Sequence, residues 1–190
     1  QTKGSNKNTV KIIKRLSPEP ERVVILGNLS RRENQQMAKV VEQLMQIEPE
    51  IWFDDFTFAQ LKQRVQQLTA RDVLIYAPVI ADSEGEFAVP AKLLNELSTL
   101  SGAPIYIFNE PFLGTGAVGG YLRSPKEIGK LLIKTAYTPS LTWTQKDFYY
   151  YGFDYESLQR WKLDVSKLPE GSRIINAPAL TVWDKIKQLF

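Results

Sequence analysis

Short apolar runs that end in polar or glycine-rich bends constrain the fold of this chain more than any other feature. The clearest run, residues 73–77, is rich in β-branched residues and stops at Pro78. Such runs are typical of strands buried on both faces of a parallel sheet. Other runs of the same kind are residues 22–27, 51–54, 105–108 and 117–121. The sequence therefore predicts several parallel strands.

Helix signals separate these runs. Three capping-box patterns begin apolar periodic segments: Ser30 with Glu33, Thr57 with Gln60, and Ser124 with Glu127. Pro90 suits the first position of a further helix, and Gly102 suits its end. Because strand–helix–strand crossovers are right-handed, the alternation predicts an α/β fold, a doubly wound and mainly parallel sheet with helices on both faces.

The composition changes near residue 138. Residues 1–138 are predicted to form the α/β lobe, in which residues 1–8 are a flexible linker and Asn8 caps a short helix. Residues 139–190 are predicted to form an aromatic C-terminal extension. It contains an extended segment at 148–153, a short helix capped by Asp154, a strand at 174–175 and an amphipathic helix from Thr181.

The composition also excludes several kinds of chemistry. The chain has no cysteine and no histidine, which excludes a zinc site and Ser-His-Asp catalysis. The net charge of +3 favours a solvated surface over a nucleic-acid partner. Acidic residues at 82, 84 and 86 lack the ligand order of a calcium loop. We therefore expect no metal site.

Residues 114–119 match the pattern G-x-G-x-x-G. A dinucleotide site needs that pattern between a strand and a helix, whereas here it leads into another predicted strand. We interpret it as a loop that needs positive φ and close backbone approach. A phosphorylation receiver shares the sheet order, but it needs acidic residues where this chain has Gly27 and Asn28, and an aspartate where it has Pro78. We expect neither catalytic residues nor a cofactor.

Several segments resemble the extracytoplasmic sensor regions of bacterial membrane receptors related to type I periplasmic binding proteins. These regions are fused to histidine kinases or diguanylate cyclases. The matching segments are residues 18–27, 112–121 and 153–161, followed by 168–172, 176–178 and Trp183. The resemblance is to the second of two lobes, a flavodoxin-like one, and to the tail that follows it.

The resemblance implies that the domain itself is not an enzyme but a periplasmic sensor that binds a small-molecule ligand between two lobes. The first lobe of the same receptor would then pack on the helix at 124–138. The tail would lead to a membrane segment just past Phe190 and so to a cytoplasmic signalling domain. Two alternatives stay open: a soluble substrate-binding component of a transporter, and a flavodoxin-like enzyme.

Polar and aromatic residues that follow the strand ends are the candidate ligand-binding residues, because ligands of open parallel sheets lie beyond the carboxyl ends of the strands. They are Asn28, Ser30, Asp82, Glu110 and Phe112. The helix that begins after Ser124 carries an apolar stripe: Ile128, Leu131, Leu132 and Ala136. Without a first lobe, this stripe predicts either self-association, such as a homodimer that exchanges the helix, or packing on its own sheet.

Overall fold

The structure is a computed structural model that describes residues 3–27, 31–53, 55–138 and 140–178. Its helices are α1 (Lys3–Leu16), α2 (Arg31–Met45), α3 (Phe58–Gln66), α4 (Pro90–Leu100), α5 (Pro125–Tyr137) and α6 (Tyr155–Arg160). Its strands are β1 (Val23–Leu26), β2 (Glu50–Trp52), β3 (Val73–Tyr76), β4 (Ile105–Tyr106), β5 (Gly119–Arg123), β6 (Tyr149–Asp154) and β7 (Arg173–Ile175). In these ranges, no helix combines the length and the apolar character needed to cross a membrane.

The strands form one sheet in the order β2-β1-β3-β4-β5-β6-β7. Strands β1 to β5 are parallel, which confirms the doubly wound, mainly parallel architecture. Strand β6 runs antiparallel to β5 with Gly119 opposite Phe153, and β7 pairs in parallel with β6. The aromatic extension therefore continues the sheet of the α/β lobe beyond β5.

Two buried apolar clusters hold helices on opposite faces of the sheet. One cluster packs α3 and α4 against β1, β3 and β4, and the other packs α1, α2 and α6. The predicted inner face of α3 is confirmed, since its apolar side chains are all buried: Phe58, Leu61, Val65 and Leu68. The runs predicted as buried strands at 73–77 and 22–27 supply the fully buried strands β3 and β1.

The N-terminal segment differs from the prediction of a flexible linker over residues 1–8. Helix α1 begins at Lys3, and Asn8 lies inside it rather than at its cap. The physical reason is tertiary: Val10 and Ile13 are fully buried, and the Thr9 hydroxyl oxygen accepts a hydrogen bond from the Tyr121 amide at 3.1 Å. Packing on β5 thus stabilises a helix whose polar first turns predict none.

The glycine-rich loop before β5 has the role expected from its sequence context. Gly114, Gly116 and Gly119 all have positive φ, at 89°, 88° and 127°. A Cβ atom at Gly119 would lie 2.0 Å from the Gly152 carbonyl oxygen. The pattern therefore allows β5 to approach β6 closely, and it precedes a strand rather than a phosphate-binding helix.

The structure forms the predicted helix caps to different extents. The capping box of Thr57 and Gln60 is present in both directions. Ser124 accepts a hydrogen bond from the Glu127 amide, but its own amide donates to the Phe148 carbonyl and Glu127 pairs with Lys130 at 2.9 Å. This second box is therefore half formed. The predicted cap at Ser30 and the helix from Thr181 lie outside the described residues.

Candidate functional site

A cavity of about 860 Å³ lies at the carboxyl ends of the central parallel strands. Pro78 follows β3, Asn109 follows β4, and Arg123 ends β5; all three line the cavity. Helix α2 supplies Met37 to its lining, and α5 closes part of it with Ile128. The carboxyl edge of an open parallel sheet is where such folds bind ligands. The volume is in the range of small-molecule pockets.

An aromatic wall, made of Trp143, Phe148 and Tyr149, borders this cavity. The Trp143 and Phe148 rings meet edge to face with centroids 5.6 Å apart, and Phe148 lies 5.1 Å from Tyr149. Tyr149 stacks on Tyr121 at 5.2 Å. Because Tyr121 is buried in the sheet, the wall is anchored at one end, while Trp143 is 51% exposed at the other. The wall can hold a planar apolar group by stacking.

Arg123 lies beside this wall, since the register of β5 and β6 places it directly opposite Tyr149. Its amide donates to the Phe108 carbonyl at 2.8 Å, which fixes the backbone at the cavity edge. Its side chain is exposed, and within the described part of the chain its guanidinium makes no ion pair. A guanidinium in such a place can bind a carboxylate with two parallel hydrogen bonds.

The predicted ligand residue Asp82 lines neither this cavity nor its smaller neighbour. Its carboxylate accepts hydrogen bonds from the amides of Phe58, Glu84 and Glu86, each at 3.0 Å. Burial raises the pKa of Asp82, but these hydrogen bonds outweigh it and lower that pKa below its ordinary value. Asp82 therefore fixes the loop after β3 and the start of α3.

Glu110 links separate segments of the chain near the cavity through hydrogen bonds to its carboxylate. Its carboxylate accepts hydrogen bonds from the Tyr150 hydroxyl at 2.9 Å and from the Ser124 hydroxyl. Burial, together with the hydrogen bond to this carboxylate, raises the pKa of Tyr150 to about 12. Glu110 thus joins the loop after β4 to β6 and to the start of α5.

Phe112 lies in the loop after β4, at the carboxyl edge of the sheet. Its ring packs edge to face on Tyr76 at 5.7 Å, and it lines a second cavity of about 450 Å³. That cavity shares Asn109 and Arg123 with the first. The structure therefore brings Phe112 to a cavity, whereas Asp82 and Glu110, which also follow parallel strands, line neither cavity. Asn28 and Ser30 lie outside the described residues.

Helix α5 leaves most of its apolar side in contact with solvent. None of its residues is fully buried, and Leu132 and Ile133 are 67% and 63% exposed. Ile128 and Leu131 are half-buried, and they line the large cavity. The alternative expectation, in which α5 packs on its own sheet, is not what the structure shows.

No family model and no curated protein matches this chain. Solved structures with a similar fold exist. An ABC domain in complex with L-Trp from Streptococcus pneumonia is 14% identical, with a TM-score of 0.59, over 90% of this chain and 60% of its own. A ligand-free, open substrate-binding protein with adhesive properties from Clostridium difficile is 11% identical, with a TM-score of 0.56, over 90% of this chain and 59% of its own.

These likenesses define a class of fold. The chain shares its mainly parallel α/β fold with these two structures, which confirms the fold class predicted from its sequence. It spans about three fifths of the length of each of these two solved structures.

Proposed function

We propose that this chain is the ligand-binding lobe of an extracytoplasmic sensor, which holds a small solute against the carboxyl edge of its sheet. The observation that carries the proposal is the cavity of about 860 Å³, bordered by the aromatic wall and by the exposed helix α5. The first lobe of the same receptor would cover the apolar side of α5 and enclose the solute between the lobes. Large exposed apolar surfaces mark such contacts.

The two similar structures support a small solute as the ligand. The Streptococcus domain is in complex with L-Trp, and the Clostridium protein is a substrate-binding protein in a ligand-free, open form. An aromatic amino acid is a sensible first candidate for this chain too, because the aromatic wall offers a stacking surface. The titratable groups on the cavity, Glu33, Arg123 and Tyr149, suit binding by charge and hydrogen bonds rather than acid–base catalysis.

The signal would leave the lobe through its extension. Strand β6 begins at Tyr149 of the aromatic wall and pairs with both β5 and β7, so a shift of the wall on ligand binding would reach both neighbouring strands. We propose that residues after β7 pass this motion to a membrane segment and a cytoplasmic signalling domain, with the lobe in the periplasm. Closure on the ligand would be a shift in population toward the closed form.

A panel of amino acids and other small metabolites, screened by thermal unfolding of the 190-residue chain, tests the proposal. A ligand at about 100 times its Kd stabilises the folded state by about 2.7 kcal/mol. We expect at least one solute to raise the melting temperature, and Trp143→Ala to abolish the rise. Phe87→Ala is the matched control, because Phe87 is 79% exposed and lines neither cavity. A panel without effect, or an effect that survives Trp143→Ala, contradicts the proposed site.

The second candidate function is a soluble substrate-binding component of a transporter, which the likeness to the Clostridium difficile substrate-binding protein favours. The gene beyond the codon for Phe190 separates the two. A membrane span followed by kinase or cyclase motifs supports the sensor, and a stop codon beside a permease gene supports the transporter component. Tight binding of a flavin would instead support the flavodoxin-like enzyme.

A further inference from the structure

We infer that the solute taken by this cavity is an organic anion with a planar apolar body, whose carboxylate pairs with Arg123 while the body lies on the aromatic wall. This inference rests on the proposed function and names the chemical class of its ligand. Three observations carry it: the place of Arg123, the charges around it, and the form of the surface beside it.

The place of Arg123 is set by the sheet. Arg123 and Tyr149 are a directly opposed pair on β5 and β6, so their side chains leave the same face of the sheet. Both side chains line the large cavity, and Asn109 lies beside Arg123 through a parallel bridge. A small ligand that stacks on Phe148 or Tyr149 thus lies near the guanidinium of Arg123 and the side-chain amide of Asn109.

In the described part of the chain, no nearby carboxylate forms an ion pair with Arg123. Glu110 is held by the Tyr150 and Ser124 hydroxyls. Glu127 pairs with Lys130. Glu33 lines the cavity as well, but it already takes part in another interaction.

Among the described residues that line the two cavities, Arg123 is the one cation. Its side chain is exposed, so its guanidinium can pair with an anionic group of a ligand.

The surface beside Arg123 is aromatic rather than polar. Three neighbouring rings, Trp143, Phe148 and Tyr149, continue from the buried Tyr121 toward solvent. Such a wall offers stacking area to a flat apolar group, which an inorganic ion cannot use. Together, the guanidinium and the wall fit an aryl carboxylate.

A pair of probes that differ only in charge tests the inference: indole-3-acetate and its neutral amide, indole-3-acetamide. Calorimetric titration of each into the 190-residue chain at pH 7 measures the ratio of their Kd values. We expect the acid to bind about tenfold more tightly, the lower end of what a hydrogen bond to a charged group contributes. Arg123→Gln should remove this preference, and Arg123→Lys should keep part of it.

Lys126→Gln is the matched control, since it removes a nearby exposed cation that lines neither cavity, and it should leave the preference intact. Melting curves of each variant show that it is folded. Equal binding of the acid and the amide, with both lost in Trp143→Ala, overturns the anion inference while the solute site stands. A preference that survives Arg123→Gln also overturns it. If neither probe binds and no metabolite in the wider panel stabilises the chain, both the inference and the proposed function fail.

Discussion

Truncation of Leu61 to alanine tests whether α3 holds the sheet as described. Leu61 is fully buried in the cluster that packs α3 and α4 on the sheet. The change removes three carbon atoms, which costs about 2.4 kcal/mol at about 0.8 kcal/mol for each buried carbon. The cavity left behind adds to this, because a packed core relaxes only in part. We expect a total loss of about 3–4 kcal/mol in the free energy of unfolding, measured by urea denaturation.

Gln63→Ala is the matched control for this measurement. Gln63 lies on the same helix but is exposed, and both glutamine and alanine favour helix formation. We expect the control to change the free energy of unfolding by less than about 0.5 kcal/mol. A loss of that small size for Leu61→Ala would place this face of α3 in solvent and refute the packing argument.

Three other parts of the molecule can be tested in the same way. Gly119→Ala should destabilise the fold by about 3 kcal/mol or more, because the new Cβ atom would clash with the Gly152 carbonyl oxygen and the backbone φ at this position is positive. An unchanged melting temperature would show that β5 and β6 lie farther apart. Burial raises the pKa of Asp72, but hydrogen bonds, above all from Arg22, outweigh burial and lower that pKa overall. The stabilising contribution of Asp72 should therefore be present at neutral pH and disappear as the pH falls below about 4. Asp72→Asn should make the free energy of unfolding depend less steeply on pH below about 4. The same pH dependence in the variant and the wild type in this range would contradict the prediction. Sedimentation should show concentration-dependent association of the chain through the exposed apolar side of α5. Leu132→Glu should abolish this association and change the free energy of unfolding by less than about 0.5 kcal/mol. A wild-type chain that is monomeric at every concentration would refute the prediction.

The parallel part of the fold could be predicted from local sequence. The apolar run at 73–77 became the buried strand β3, and Thr57 and Pro90 marked the starts of α3 and α4. These signals are short-range, because caps and buried strands leave their pattern within a few residues. Helix α1 could not be bounded in this way. Its first turns are polar, and they are stabilised by burial against β5, about 110 residues along the chain from Thr9.

The candidate site was predicted less completely than the fold. A cavity lies at the carboxyl edge where the candidate residues were predicted, and Phe112 lines its smaller neighbour. Proximity to a strand end, however, does not show what a side chain does. Asp82 and Glu110 follow strands, yet their carboxylates hold loops together. Arg123 was missed because its position depends on the antiparallel pairing of β5 with β6, which brings Tyr149 opposite it. A long-range register of this kind leaves no local pattern.

The central claim, that a small solute binds in the cavity at the carboxyl edge, is tested most directly by ¹⁹F NMR of the chain labelled with 5-fluorotryptophan. The sequence has four tryptophans, and Trp143 alone among Trp52, Trp143 and Trp161 lines the cavity. Its resonance is assigned with Trp143→Phe. On addition of indole-3-acetate, or of a solute found in the metabolite panel, we expect a saturable shift of the Trp143 resonance while those of Trp52 and Trp161 stay in place. A ligand that stabilises the protein without moving the Trp143 resonance would contradict the claim.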